Sequence, residues 1–172
     1  MTGIAIFVDG AAMVHAQKLN RWYIDWKKVL DYFTLNRECI GAYYFTPSPA
    51  ISDVGAVTKY RRFKSFLVSI GYRVIDKEVK LIRSPETGNV IMAKGSLDME
   101  MGLTMISEGP HFELAVIFTG DSDFLPVVER LKTQGRQVYC VSQAKMTSFE
   151  LRNACTKYLD LETLRNSIER IQ

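Results

Sequence analysis

Alternating strand-like and helix-like periods along 172 residues predict an α/β protein: an open, mainly parallel five-stranded sheet with helices on both faces. Three observations carry that expectation. The apolar runs at 4–8 and 114–118 lack a polar side, as strands covered on both faces require. Amphipathic segments of helical period separate the runs. Both runs then stop at acidic, glycine-containing sequence, Val8-Asp9-Gly10 and Thr119-Gly120-Asp121.

Residues 4–8 are the first strand. A helix follows over about 10–18, and Asp25 caps a second over 26–33, where Trp26, Val29, Leu30 and Phe33 share one face. The second strand, 40–45, is stopped by Pro47-Ser48-Pro49. Over 55–70, Val57, Tyr60, Phe63, Leu67 and Ile70 recur at helical spacing. Lys59, Arg61, Arg62 and Lys64 lie around the other faces, and Gly71 closes the helix. The third strand is 72–75. Segments 78–82 and 90–92 then flank 84–89 as a β-hairpin or extended loop.

A helix over about 96–107 turns Leu97, Met101 and Met105 to the core, with Gly102 letting it approach the sheet. The fourth strand, 113–118, leads to a helix over about 124–133, and Gly135 precedes the fifth strand, 137–142. Thr147-Ser148-Phe149-Glu150 has the form of a capping box that opens another helix. Residues 162–171 form an amphipathic terminal helix. No internal repeat or interdomain linker interrupts the series, so residues 1–172 read as one domain with a real core.

Strands one to three build outward. With the fourth strand back beside the first, the order becomes 3-2-1-4-5, and a crevice opens between strands one and four. Open α/β sheets place ligands at such a switch point. Asp9 and Asp121 then face each other at the carboxyl edge.

Bulk properties narrow the function classes. The 47% hydrophobic and 24% charged fractions are ordinary for a globular protein. A net charge of +3 permits a nucleic-acid partner without requiring one. No apolar stretch reaches the ~20 residues of a membrane span. The opening MTGIAIFVDG reads as a strand rather than a signal peptide. Cys39, Cys140 and Cys155 lack zinc spacing and read as reduced thiols of a cytoplasmic protein. His15 and His111 have no ligand partner at helical spacing.

Asp-Gly after a strand is common turn chemistry, and Ser122 or Asp123 can cap the helix carrying Pro126. The combination says more. Lys94-Gly95-Ser96-Leu97-Asp98 brings another carboxylate to a helix start. Even at an effective dielectric of ~20, two like charges ~4 Å apart repel by about 4 kcal/mol. Converging carboxylates therefore call for a cation, and hard oxygen donors without soft ones select Mg²⁺ or Mn²⁺. Metal-assisted phosphodiester hydrolysis is the matching reaction class.

FVDG (7–10), KGSLDME (94–100) and TGDSDFLPVVERLKTQGRQV (119–138) together resemble the NYN domain, in particular its LabA-like branch, relatives of PIN and FLAP-type nucleases. The resemblance spans essentially the whole chain, and TGDSDFLPVVERLK is its most specific part. It implies a three-layer, PIN-like Rossmannoid fold and a metal-dependent ribonuclease-type site. It maps Asp9, Asp98, Asp121 and Asp123 onto the acidic catalytic and metal-binding set, with Thr119 and Ser122 in support and Lys94 on the family lysine. Two positions depart from the pattern: Ala12 stands where an Asn is frequent, and Thr104 where a further Asp is frequent.

Lys80, Arg83 and Lys94 lead into Asp98 and are the candidate nucleic-acid contacts, with Lys77 beside them. The 59–64 cluster suits a solvated helix face, and Trp22 and Tyr23 suit packing more than base stacking. The expected activity is a cytoplasmic, metal-dependent nuclease acting on single-stranded or structured RNA, with no membrane partner and no oligomeric state fixed. A non-catalytic or weakly active RNA-binding module is the alternative. A nucleotide-dependent oxidoreductase would need GxGxxG after strand one, and an aspartyl phosphatase a second acid two residues after Asp9; both are missing.

Overall fold

The computed structural model describes residues 3–171. Its eight strands are β1 (Gly3–Asp9), β2 (Glu38–Ser48), β3 (Arg73–Glu78), β4 (Lys80–Arg83), β5 (Val90–Lys94), β6 (Leu114–Phe118), β7 (Gln137–Ser142) and β8 (Lys157–Asp160). The helices are α1 (Gly10–Asn20), α2 (Trp26–Thr34), α3 (Val54–Ser69), α4 (Asp98–Glu108), α5 (Leu125–Thr133), α6 (Phe149–Ala154) and α7 (Leu161–Ile168). Six strands form one sheet in the order β3-β2-β1-β6-β7-β8, every neighbouring pair parallel. β4 and β5 pair antiparallel as a separate ribbon.

Alternation along β1 builds the two cores. Ile4, Ile6 and Val8 point to one face, where Trp26, Val29 and Phe33 of α2 and Leu164 and Ile168 of α7 pack on them. Ala5 and Phe7 point to the other, against Met101 and Met105 of α4 and Val128 and Leu131 of α5. The result is helix, sheet, helix in three layers. Leu97, Met101 and Met105 are buried as the sequence indicates. Trp22 is also buried and donates its indole N–H to Glu162 Oε1 at 2.7 Å, so it packs rather than stacks on a ligand.

Four local features differ from the sequence reading. The sheet has a sixth strand, β8, at its edge. Its four residues follow α6 almost directly and run straight into α7, so neither a turn signal nor a long apolar run marks it. β2 continues through Pro47 to Ser48, because β1 ends opposite Phe45 and Pro47 pairs only with Lys77 of β3. On that locally free side a missing N–H breaks no ladder. Gly102 makes its close contact with Val127 of α5, 3.2 Å from where a Cβ would lie, rather than with the sheet. Ser148, not Thr147, caps α6 by accepting from Leu151 N–H at 3.2 Å.

Among the described residues no helix is long and apolar enough to cross a membrane. The carboxyl ends of β1 and β6 lie side by side, and both need close backbone approach. A side chain at Gly10 would put its Cβ 2.6 Å from the Phe45 carbonyl oxygen. At Gly120 it would lie 2.5 Å from that of Met146. No real Cβ tolerates such contacts, so glycine at these two positions is what lets the strand ends and the next loops close up.

Candidate metal centre at the carboxyl edge

A cleft of about 680 Å³ opens where β1 and β6 end. Asp9, Asp98, Asp121 and Ser122 line it. Three carboxylates converge: one oxygen from each of Asp98, Asp121 and Asp123 lies within 4.8 Å of the others. Asp98 is half-buried, and the other two are exposed.

Each is placed by a local rule. Asp98 is the first residue of α4, and its Oδ2 accepts the Ser96 hydroxyl at 2.6 Å. Asp121 caps the 3₁₀ turn at Ser122–Phe124 that leads into α5, with Oδ1 accepting from Asp123 N–H at 2.9 Å. The cap is therefore Asp121, rather than Ser122 or Asp123. A single cap bond leaves this carboxylate ample lone-pair capacity for a second partner. The strut from β3 is Lys77, which ion-pairs with Glu100 and donates to the Ser96 carbonyl at 3.2 Å. Its ammonium holds the Glu100 carboxyl below the usual range. Lys77 thus fixes the start of α4 rather than reaching free into solvent.

Asp9 shares the cleft with Asp98 and Asp121 and is turned inward. Its Oδ1 accepts from Ala12 N–H at 3.0 Å, capping α1, and its Oδ2 accepts the Thr119 hydroxyl at 3.0 Å. Desolvation pushes its pKa up, the two hydrogen bonds oppose this, and the negative charges of Asp98 and Asp121 raise it further. Those two charges register at Asp9 only because all three side chains share the cleft. The fully buried Thr119 is the junction. It donates to Asp9, accepts from Asp121 N–H at 3.3 Å, and its carbonyl accepts the Cys140 thiol at 3.2 Å. Ser122 lines the cleft. Ala12 also lines it and contributes its N–H to Asp9, whereas the Thr104 hydroxyl donates to the Glu100 carbonyl at 2.7 Å on its own helix.

The chemistry of this donor set fits a hard divalent cation: three carboxylates, no thiol and no imidazole. Repulsion among them in the cation's absence is the cost that binding would relieve.

Lys80 and Lys94 sit directly opposite each other in the β4–β5 ribbon, which leads through Gly95 to Asp98. Arg83 donates to the Gly88 carbonyl at 3.1 Å, bracing the ribbon's own turn. None of the three forms an ion pair among the described residues. In the 59–64 cluster, Lys64 is committed to Asp76 at 2.7 Å. Lys145, Thr147 and Ser148 also line the cleft, and sequence reading missed them. They belong to a polar loop without periodicity, which only the β6–β7 adjacency carries to the site.

With this geometry in place, the comparisons decide the family. The model of the NYN domain matches residues 3–162. The chain belongs to the NYN domain family. Within it, the protein is 35% identical over 172 residues to the low amplitude and bright protein LabA of Synechococcus elongatus, covering 98% of this chain and 89% of LabA. The LabA-like character of this NYN domain follows from that identity. The fold is shared with the crystal structure of a protein of unknown function from Vibrio parahaemolyticus. The TM-score is 0.78 at 22% identity, covering 98% of this chain and 96% of that one.

Proposed function

We propose that this NYN domain is a metal-dependent ribonuclease that hydrolyses RNA phosphodiester bonds. The observation that carries the reading is the convergence of Asp98, Asp121 and Asp123 within 4.8 Å in a cleft at the sheet's switch point. Mg²⁺ or Mn²⁺ held there would lower the pKa of a water and stabilise charge on phosphodiester oxygens. Asp98, Asp121 and Asp123 bind the cation. Asp9 adds negative charge from behind and, through Thr119, fixes the loop that carries Asp121. Lys80, Arg83 and Lys94 hold the substrate's phosphates on the approach to Asp98. On this reading the protein works in the cytoplasm, where its thiols stay reduced.

A second reading, RNA binding without turnover, is favoured by one observation. Asp9 spends both oxygens on Ala12 and Thr119, and position 12 offers the cleft a methyl group in place of an amide. Cleavage assays separate the two. Purified protein is incubated with labelled RNA and DNA, with Mg²⁺, Mn²⁺ or chelator, alongside Asp121→Asn. The nuclease reading expects RNA cleavage that needs the cation and falls at least about a hundredfold in the variant. Binding without cation-dependent cleavage establishes the second reading instead.

A further inference from the structure

The loop between β7 and α6 is braced far beyond what an exposed connection needs. Ser148 N–H donates to the Gly120 carbonyl at 3.1 Å, tying the loop to the strand end that carries Asp121. The Thr147 hydroxyl donates to the Gln143 carbonyl at 2.8 Å, and Arg152 donates to the Ala144 carbonyl at 3.3 Å. The same guanidinium stacks 4.2 Å from the centre of the Tyr158 ring, whose hydroxyl donates to the Ser142 carbonyl at 3.0 Å. The close approach of Gly120 to Met146 leaves no slack.

This braced loop and the first residue of α6 present two side chains that the fold itself does not use. Lys145 lines the acidic cleft yet makes no ion pair among the described residues. Phe149, next to the cleft-lining Ser148, is 73% exposed and belongs to neither core. An unpaired cation beside converging carboxylates has its charge free for an anion. A bare aromatic ring one residue beyond the cleft-lining Ser148 offers a face to a flat apolar group.

From this pairing we infer that Lys145 and Phe149 form a subsite for one nucleotide of a single strand: Lys145 on a phosphate, Phe149 stacked on an unpaired base. The inference rests on the nuclease-family reading above and deepens it by naming the form of the substrate. A base inside a duplex already has both faces covered, so stacking on Phe149 selects unpaired nucleic acid. The braced backbone beneath Phe149 leaves only the ring's two side-chain torsions to be ordered on binding.

Fluorescence anisotropy tests this, using a labelled oligoadenylate of about ten nucleotides and a matched RNA duplex, with Ca²⁺ replacing Mg²⁺ or Mn²⁺. Phe149→Ala should weaken oligoadenylate binding about tenfold with an unchanged salt slope, leave duplex affinity alone, and be rescued by Phe149→Trp. Lys145→Ala should flatten the salt slope by about 1. Because both side chains are exposed, the variants should melt like wild type. Wild-type oligoadenylate affinity in Phe149→Ala, or equal losses on both probes, overturns the subsite and leaves the nuclease reading standing. A wild-type protein that binds neither probe overturns the nucleic-acid reading and the subsite with it.

Discussion

Asp9 combines an N-cap, a buried hydroxyl partner and a place beside two other carboxylates, Asp98 and Asp121. Its spacing after an apolar strand makes it legible in sequence; its inward turn is not, because that depends on Thr119, 110 positions away. Burial raises its pKa, so a protonated Asp9 favours the fold. That contribution is complete below the ordinary carboxylate value and is lost as pH rises through the raised folded value. At neutral pH the ionised group weighs against the fold. Asp9→Asn keeps the α1 cap through its amide oxygen and carries no charge. In chelator it should therefore be more stable than wild type at neutral pH, with the difference shrinking on acidification. Urea melts across that range check the sign; an Asn variant less stable by the same amount at every pH would show that the cap and the Thr119 bond dominate. Lys145 marks the opposite limit. A lone lysine in an aperiodic loop has no local pattern to betray it, and only the sheet order puts it in the cleft.

The β4–β5 ribbon is legible in the sequence as a hairpin or extended loop, since Ser84-Pro85-Glu86-Thr87-Gly88-Asn89 supplies turn chemistry between two apolar segments. Its register adds what sequence could not supply: Lys80 stands opposite Lys94. Like charges directly across a strand pair are destabilising, and an anion between them removes the penalty. Both strands are exposed along their whole length, so the pair contributes little to the core. Replacing Lys80, Arg83 and Lys94 together with Ala should thus leave the melting temperature nearly unchanged. It should weaken single-stranded RNA binding and flatten its salt slope by about 2. Titrations at several salt concentrations read this directly, and an unaltered slope would move the binding surface to Lys59–Arg62. β8 is not legible in the sequence for a different reason: it is an edge strand paired with β7 alone, and four residues are too few to show a period.

At the scale of the molecule, parallel pairing throughout the sheet sends every strand's carboxyl end to the same edge. Asp98 reaches that edge from a helix and meets Asp121 and Asp123 there. On the proposed function, a cation bound by these carboxylates would link ion binding to global stability. Mn²⁺ at a hundredfold excess over its Kd should stabilise the wild type by about 2.7 kcal/mol. Asp121→Asn, which can still cap the 3₁₀ turn, should lose most of that gain while melting no lower in chelator. Equal Mn²⁺ stabilisation of both proteins would remove Asp121 from the ligand set. The same polarity has a practical side. Cys39, near the amino end of β2, is exposed, while Cys140 and Cys155 are buried. Phe45, which pairs with Asp9, lies six residues further on, or about 20 Å along the strand. A maleimide dye should therefore go onto Cys39 in the native chain. Partial burial raises that thiol's pKa, so coupling needs mildly alkaline buffer. The label would sit at the end of the molecule remote from the carboxylates, where it can report binding without touching the cleft.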